Sequence, residues 1–299
     1  MKPNFKKLEI EDLMLWKKLN QNSNCMDSEN AFGTHFLWSK FLCSEIYFYE
    51  NVAFIRLNQP NLAYKMPFGV TERGEMLRCI KLLIENAKSQ SKPFKLTDLN
   101  KAQVEILKSI MPNKFSFTSE REKFEYIYQT KDLAELSGKK YHSKRNHISK
   151  FNKLYKWHYE ELTENNLPEC AIFLENWFTS HNNDKLSYNE HEYVAIKKTI
   201  NHYSKLNFFG GLLKIDNKII ACTIAEKINH RTITVHFEKA NPEFEGVYAV
   251  INNEFCKEMA KDFKFINREE DLGIEGLRKA KLSYHPCALL ERFTAVLKE

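Results

Sequence analysis

The chain has 299 residues, enough for two domains of ordinary size that each bury a core, and its 43% hydrophobic content excludes a disordered chain. A net charge of +6 suits an anionic partner such as tRNA, a phosphorylated substrate or an anionic membrane surface, and singles out none of them. Seven cysteines, odd in number and never spaced CxxC, argue against a disulfide framework or a zinc site and for reduced thiols in a cytoplasm.

Glu9, Glu11 and Asp12 interrupt any apolar core a signal peptide would need. No window approaches the roughly 20 apolar residues that span a bilayer. Residues 8–19 read as a helix and 36–41 as an apolar stretch around Trp38. A hairpin follows around Glu50-Asn51, then a strand at 62–66, a helix at 71–89 and a strand at 94–97. Pro67-Phe68-Gly69 reads as a turn. Asn100 with Gln103 has the form of a capping box that starts a helix reaching Ile110. A strand at 124–128 is expected to close this first unit, residues 1–137.

Residues 138–158 carry Lys139, Lys140, Lys144, Arg145, Lys150, Lys153 and Lys156 with His142 and His147, and no acid. Tyr141, Ile148, Phe151 and Tyr155 fall on one stripe, so the segment is expected to be a connecting helix with one apolar edge and one basic side. A charge run is ordinarily a solvated face. The absence of any compensating acid favours a phosphate-binding edge, with Arg145 and Asn146 as its anchors.

The second domain is placed at 159–299: an edge strand at 159–162, helices at 168–180 and 190–206, and strands at 209–215 and 218–227 joined by Asp216-Asn217. In the strand 232–238, alternation puts Ile233, Val235 and Phe237 on one face and Thr232, Thr234, His236 and Glu238 on the other. A helix at 247–262 and a strand at 263–267 follow, and then Arg268, Glu269, Glu270 and Asp271 crowd ahead of Gly273, a pattern that usually marks solvated surface. In the segment 276–286, Arg278, Lys281 and Tyr284 share a helix side, and a last strand runs over 288–297. The order of elements nearly repeats that of the first half, without a sequence repeat. His181, His191 and His202 lack metal-ligand spacing, and no metal is expected.

Two runs, NREEDLGIEGLRKAKLSYHP at 267–286 and GKKYHSKRNHISKF at 138–151, resemble a bacterial family related to the C-terminal catalytic domain of phosphatidylglycerol lysyltransferases. That family is similar in fold to the peptidoglycan-bridge aminoacyltransferases of the Fem type. The resemblance spans essentially the whole chain. It implies an α+β protein of two tandem GNAT-like acyltransferase domains, each a mixed, mostly antiparallel sheet flanked by helices. It also implies an aminoacyltransferase that moves an amino acid from aminoacyl-tRNA to a lipid, peptide or small-molecule acceptor. No cofactor is firmly implied. Full-length lysyltransferases are similar to this chain only in their soluble part, so a lipid would be met from a cytoplasmic location by peripheral contact with the inner membrane face.

In coenzyme A-dependent GNAT proteins, a glycine-containing loop before the long helix holds the pyrophosphate. Here that loop carries Glu238, Glu243 and Glu245 with only Gly246, which ranks acyl-CoA below aminoacyl-tRNA as donor. Two alternatives stand beside the leading one: a coenzyme A-dependent N-acyltransferase and a nonenzymatic tRNA- or anion-binding scaffold. For aminoacyl transfer, Glu238 or His236 would accept a proton or hold the donor α-ammonium, and Tyr284 would protonate the leaving ribose oxygen. Arg278 and Lys281 would bind phosphate or developing negative charge. Lys140, Lys144, Arg145, Asn146, Arg268 and Asp271 complete the substrate- and phosphate-binding set, with an Arg278–Asp271 ion pair as the structural alternative.

Overall fold

The computed structural model describes residues 3–20, 23–181 and 187–298. Among these residues the strands form two mixed sheets of seven. The first runs in the order β1 (Lys6–Lys7), β2 (Glu45–Tyr49), β3 (Val52–Leu57), β4 (Ala63–Tyr64), β5 (Lys95–Leu99), β14 (Phe293–Leu297), β6 (Phe115–Ser119). The second runs β13 (Ala288–Leu290), β7 (Glu125–Gln129), β12 (Phe265–Asn267), β11 (Thr232–Ala240), β10 (Lys218–Lys227), β9 (Phe209–Ile215), β8 (Trp157–Glu161). Each sheet has one parallel pair, β4 with β5 and β11 with β12. The helices are α1 (Leu13–Asn20), α2 (Phe32–Leu42), α3 (Arg73–Ser89), α4 (Lys101–Ile110), α5 (Thr130–Glu135), α6 (His142–Leu154), α7 (Leu167–His181), α8 (Ser187–Leu206), α9 (Val247–Glu258) and α10 (Glu275–Leu282). The side chain of His181 lies outside the described residues.

Several local expectations are met for the expected reasons. Asp216 and Asn217 take φ of 49° and 60°, the left-handed pair that a two-residue hairpin between β9 and β10 needs. The Asn100 side chain accepts from the Gln103 N–H, and the Gln103 side chain accepts from the Asn100 N–H, so α4 starts on a closed capping box. In α6, Tyr141 just ahead of the helix and Phe151 within it are buried, and the basic residues are exposed except for half-buried Lys144.

Strand membership differs from expectation at two places. The strand expected to close the first unit, β7, lies inside the second sheet between β13 and β12. The expected last strand is two: β13 stays in the second sheet, and β14 crosses to the first, between β5 and β6. A strand covered on both faces carries no one-sided polarity pattern, so Tyr126, Ile127 and Tyr128, all buried, say nothing about which sheet they join. Arg292 sits at the crossing and is 2% exposed. It donates to the carboxylates of Asp27 and Glu125. Glu125 also accepts from Asn267 at 2.6 Å, and Asp27 from Asn100 at 2.9 Å, so residues of both halves close on one guanidinium. Burial works against the Asp27 carboxylate, but Arg292 and Asn100 hold it below its usual range; Glu125 is raised by burial despite Arg292.

Strand β11 corrects the face assignment. Ile224 of β10 pairs with Phe237 and Ala225 with Val235, so His236 is an extra residue, a β-bulge. Beyond it the alternation inverts. Ile233 and Val235 pack with Phe255 and Cys256 of α9, whereas Phe237 packs with Leu174 and Phe178 of α7. Glu238 therefore leaves the face of Thr234 and His236 and meets Asn252 of α9 at 3.4 Å.

Candidate active site

Strands β11 and β12 pair only from Thr232–Phe265 to Thr234–Asn267. Past this point their ends form two walls of a cleft of about 740 Å³. Val235 to Lys239 line one wall and Arg268 to Glu270 the other; Lys281 and Tyr284 lie along the α10 side, and Lys144 and His147 of α6 stand at the edge. Trp177, Phe244 and Tyr248 add aromatic surface. Side chains bridge the walls where backbone pairing has stopped. Glu269 accepts from Thr234 at 3.1 Å and from His236 Nδ1 at 2.8 Å, and Arg268 Nη2 donates to Glu238 at 2.8 Å.

His236 is held by two carboxylates, Glu269 on Nδ1 and Glu226 on Nε2 at 3.0 Å, and Glu226 also accepts from the Gly33 N–H at the start of α2. There is no room at this point for more than a glycine: a Cβ on Gly33 would stand 2.3 Å from Glu226 Oε2 and 2.9 Å from His236 Nε2. Burial lowers the imidazole's affinity for a proton, but the two carboxylates outweigh it and push the pKa up to about 10. His236 is therefore an imidazolium with both N–H groups engaged, and the expectation that it accepts a proton is corrected. Its raised value makes its contribution to stability complete below about pH 6.5 and lost as pH climbs toward 10. Urea midpoints measured over that window should fall for the wild type more steeply than for His236→Gln, and parallel profiles would contradict the assignment.

Arg268 lies near the Tyr284 ring at 5.2 Å and the Tyr128 ring at 5.8 Å, and Glu238 keeps it protonated against its burial. Its Nη1 is buried without a hydrogen-bond partner. Asn252 Oδ1 and Thr223 Oγ1, next to Glu238 on α9 and β10, are orphaned in the same way. Lys144 rests over the Tyr284 ring at 3.9 Å, and burial, then the Arg268 charge, lower its pKa to about 8. Burial raises the Tyr284 hydroxyl well above its usual range, so it stays an O–H donor.

Other expected site residues have structural employment. The Arg278 guanidinium clasps Asp271 through two bonds of 2.8 and 2.9 Å. Asp271 is fully buried and also accepts from Tyr126, Arg121 and the Gly273 N–H; these partners hold its carboxyl well below the usual range although burial opposes it. Neither residue lines the cleft. Lys281 does, but its ammonium donates to the backbone carbonyls of Arg268 and Glu270, which leaves it a clamp on the loop rather than a phosphate contact. Arg145 caps the end of α5 by donating to the carbonyls of Leu136 and Gly138, Asn146 bonds to His142 at 3.2 Å, and Lys140 reaches Asp132 at 3.5 Å. Of the basic helix residues expected to bind phosphate, Lys144 alone lines the cleft.

One residue escaped the sequence reading. Glu270, part of a charge cluster that looked like solvated surface, lines the cleft, and burial, then the charge of Glu269, push its pKa up to about 7. The available signal was the position of four charges directly after the parallel strand, where the walls must part.

Two mixed sheets of seven strands, each with one parallel pair next to a long helix, define a tandem GNAT-like α+β protein. The fold is shared with the crystal structure of FemX, with a TM-score of 0.63 at 9% identity over 99% of this chain and 97% of that one. It is also shared with L-PGS from Bacillus licheniformis, with a TM-score of 0.68 at 13% identity over 98% and 93%. A conserved protein of unknown function from Bacteroides thetaiotaomicron is 33% identical over 99% of this chain and all of that one, with a TM-score of 0.93. The chain belongs to the family described as phosphatidylglycerol lysyltransferase, C-terminal, whose model matches residues 22–296. No described helix is long and apolar enough to cross a membrane.

Proposed function

We propose that the protein is an aminoacyltransferase that takes an amino acid from aminoacyl-tRNA and passes it to an amine or hydroxyl acceptor in the β11–β12 cleft. The observation that carries this reading is the set of donor-bearing residues that line the cleft together: Arg268, Lys144 and Tyr284. An aminoacyl ester is already activated, so what it requires is placement and stabilisation of the oxyanion that forms as the carbonyl is attacked. Arg268 and Lys144 supply positive charge for the oxyanion or for the terminal phosphate of the donor. Tyr284 supplies a proton for the leaving ribose oxygen. The exposed basic side of α6 adjoins the cleft and gives a polyanion a surface to follow.

The start of α9 supports this donor over an acyl-CoA. The N–H of Val247 is bonded to the Phe244 carbonyl, and those of Ala249 and Val250 to the Gly246 carbonyl, so few amides are left for a pyrophosphate. Glu243 and Glu245 add negative charge at the same place.

Bulk tRNA charged with labelled amino acids, incubated with the protein and with lipid, peptide and small-molecule pools, tests the proposal. Label should leave tRNA and enter one pool. Tight binding with all label retained on tRNA would instead identify a scaffold, and thermal stabilisation by acetyl-CoA but not by aminoacyl-tRNA would identify the coenzyme A-dependent alternative.

A further inference from the structure

Five glutamates line the cleft, and four of them are committed. Glu192 bonds to Lys239 at 2.9 Å, Glu238 to Arg268 at 2.8 Å, Glu245 to Lys150, and Glu269 to His236 at 2.8 Å. Glu270 is different. Among the described residues no side chain makes a hydrogen bond or ion pair to its carboxylate, and Lys281, whose charge acts on it, is bonded to backbone carbonyls.

The position of Glu270 is nonetheless tightly set. Lys281 holds the carbonyls of Arg268 and Glu270 on either side of Glu269, which adopts φ of 55°. A left-handed conformation is costly for a residue with a side chain, and such strain persists where the surroundings enforce it. Here it turns Arg268 toward Glu238 while Glu269 reaches His236 and Glu270 joins the cleft wall.

We propose that Glu270 is the general base of the transfer, removing the proton from the attacking N–H or O–H of the acceptor; this rests on the aminoacyl-transfer reading above. The acceptor's lone pair forms a bond to the ester carbonyl carbon as its proton passes to a Glu270 oxygen. The bond from that carbon to the ribose oxygen then breaks, and the oxygen takes the Tyr284 proton. The tyrosinate recovers a proton from the Glu270 carboxylic acid, directly or through solvent. Aminoacyl ester and acceptor become aminoacyl-acceptor and free ribose hydroxyl, with both residues restored.

The surroundings of Glu270 suit the task. Burial and the charges of Glu269 and Glu125 raise its pKa and Lys281 lowers it, which leaves it near neutrality at about 7. A base is most useful when its pKa lies close to the working pH. The other cleft carboxylates each have a fixed cationic partner to lose before they could serve.

The test is the label-transfer assay run from pH 5.5 to 9 with wild type, Glu270→Gln and Glu270→Asp, alongside aminoacyl-tRNA affinity and thermal melting. Wild-type turnover should rise with pH through about 7. Glu270→Gln should turn over about 10²–10⁴-fold more slowly, bind aminoacyl-tRNA as before and lose the rising limb. Glu270→Asp should recover part of the rate and the limb with it. Wild-type rates in Glu270→Gln, or an unchanged rising limb, would overturn the base while leaving the transferase reading intact. A wild type that leaves all label on tRNA at every pH would remove the reading and the base together.

Discussion

Arg292→Met should destabilise the protein by about 3–5 kcal/mol, read as a large fall in the urea midpoint. The guanidinium is 2% exposed and neutralises two buried carboxylates, Asp27 from the first half of the chain and Glu125 of β7 in the second sheet. Methionine preserves much of the volume and removes the charge, so Asp27 and Glu125 are left facing each other in the interior. The cost is that of uncompensated buried charge rather than of one lost hydrogen bond. If so, adding Asp27→Asn and Glu125→Gln to Arg292→Met should recover a substantial part of the loss. A fall below about 1 kcal/mol for the single variant would show that the clasp is not what holds the exchanged strands in place.

The second large effect concerns chemistry. Arg268→Lys should slow transfer about 10²–10³-fold, the usual loss when one preorganised donor to an oxyanion is removed. Lysine keeps a cation opposite Glu238, which preserves the 2.8 Å ion pair in kind and with it the fold. It cannot reproduce the planar, multi-donor guanidinium that Arg268 brings to the cleft wall. The predicted signature is a lower kcat with a thermal midpoint close to wild type, and Arg268→Ala, which strands Glu238 as well, should lose both activity and stability. An unchanged kcat in Arg268→Lys would remove Arg268 from the reaction and leave it a structural partner of Glu238.

Much of the fold could be read from local chemistry. The Asp216-Asn217 hairpin, the Asn100–Gln103 box and the Tyr141–Phe151 stripe each follow from rules that act within a few residues. The exchange of β7 and β14 does not: β7 is buried almost throughout and looks alike in either sheet, and nothing local marks the point where the chain leaves β13 for β14. The bulge at His236 was hidden for a sharper reason. Residues 232–238 alternate without a flaw in sequence, and only pairing with β10 shows that one of them is extra. That single residue moves Glu238 to the α9 face and leaves His236 between two acids. The two residues expected to share a catalytic role thus face different neighbours.

The candidate site was legible in outline, and of its pairings only the Arg278–Asp271 ion pair, the structural alternative, was foreseen. Glu238, Lys144, Arg268 and Tyr284 come to one cleft, as elements after the parallel strand and at the basic helix would if both faced the same opening. Arg278 and Asp271 chose each other, Lys281 chose backbone carbonyls, and Arg145 chose the end of α5. Sequence spacing brings charged groups near a site, but burial decides which of them must find a permanent partner. Glu270 was overlooked because a charge next to three others looks solvated until its neighbours are seen to be engaged.

The claim on which everything functional depends is that the aminoacyl end of tRNA enters the cleft between β11 and β12. It is tested most directly with tRNA carrying a photoreactive aminoacyl group in amide linkage at its 3′ end, crosslinked to the protein and mapped by peptide mass spectrometry. Crosslinks should fall at 235–239, at 268–270 and at Tyr284, and should be competed by unlabelled aminoacyl-tRNA. Competed crosslinks confined to the hollow beside Arg145 and Asn253, or to the one bordered by Trp16 and Phe263, would contradict the account.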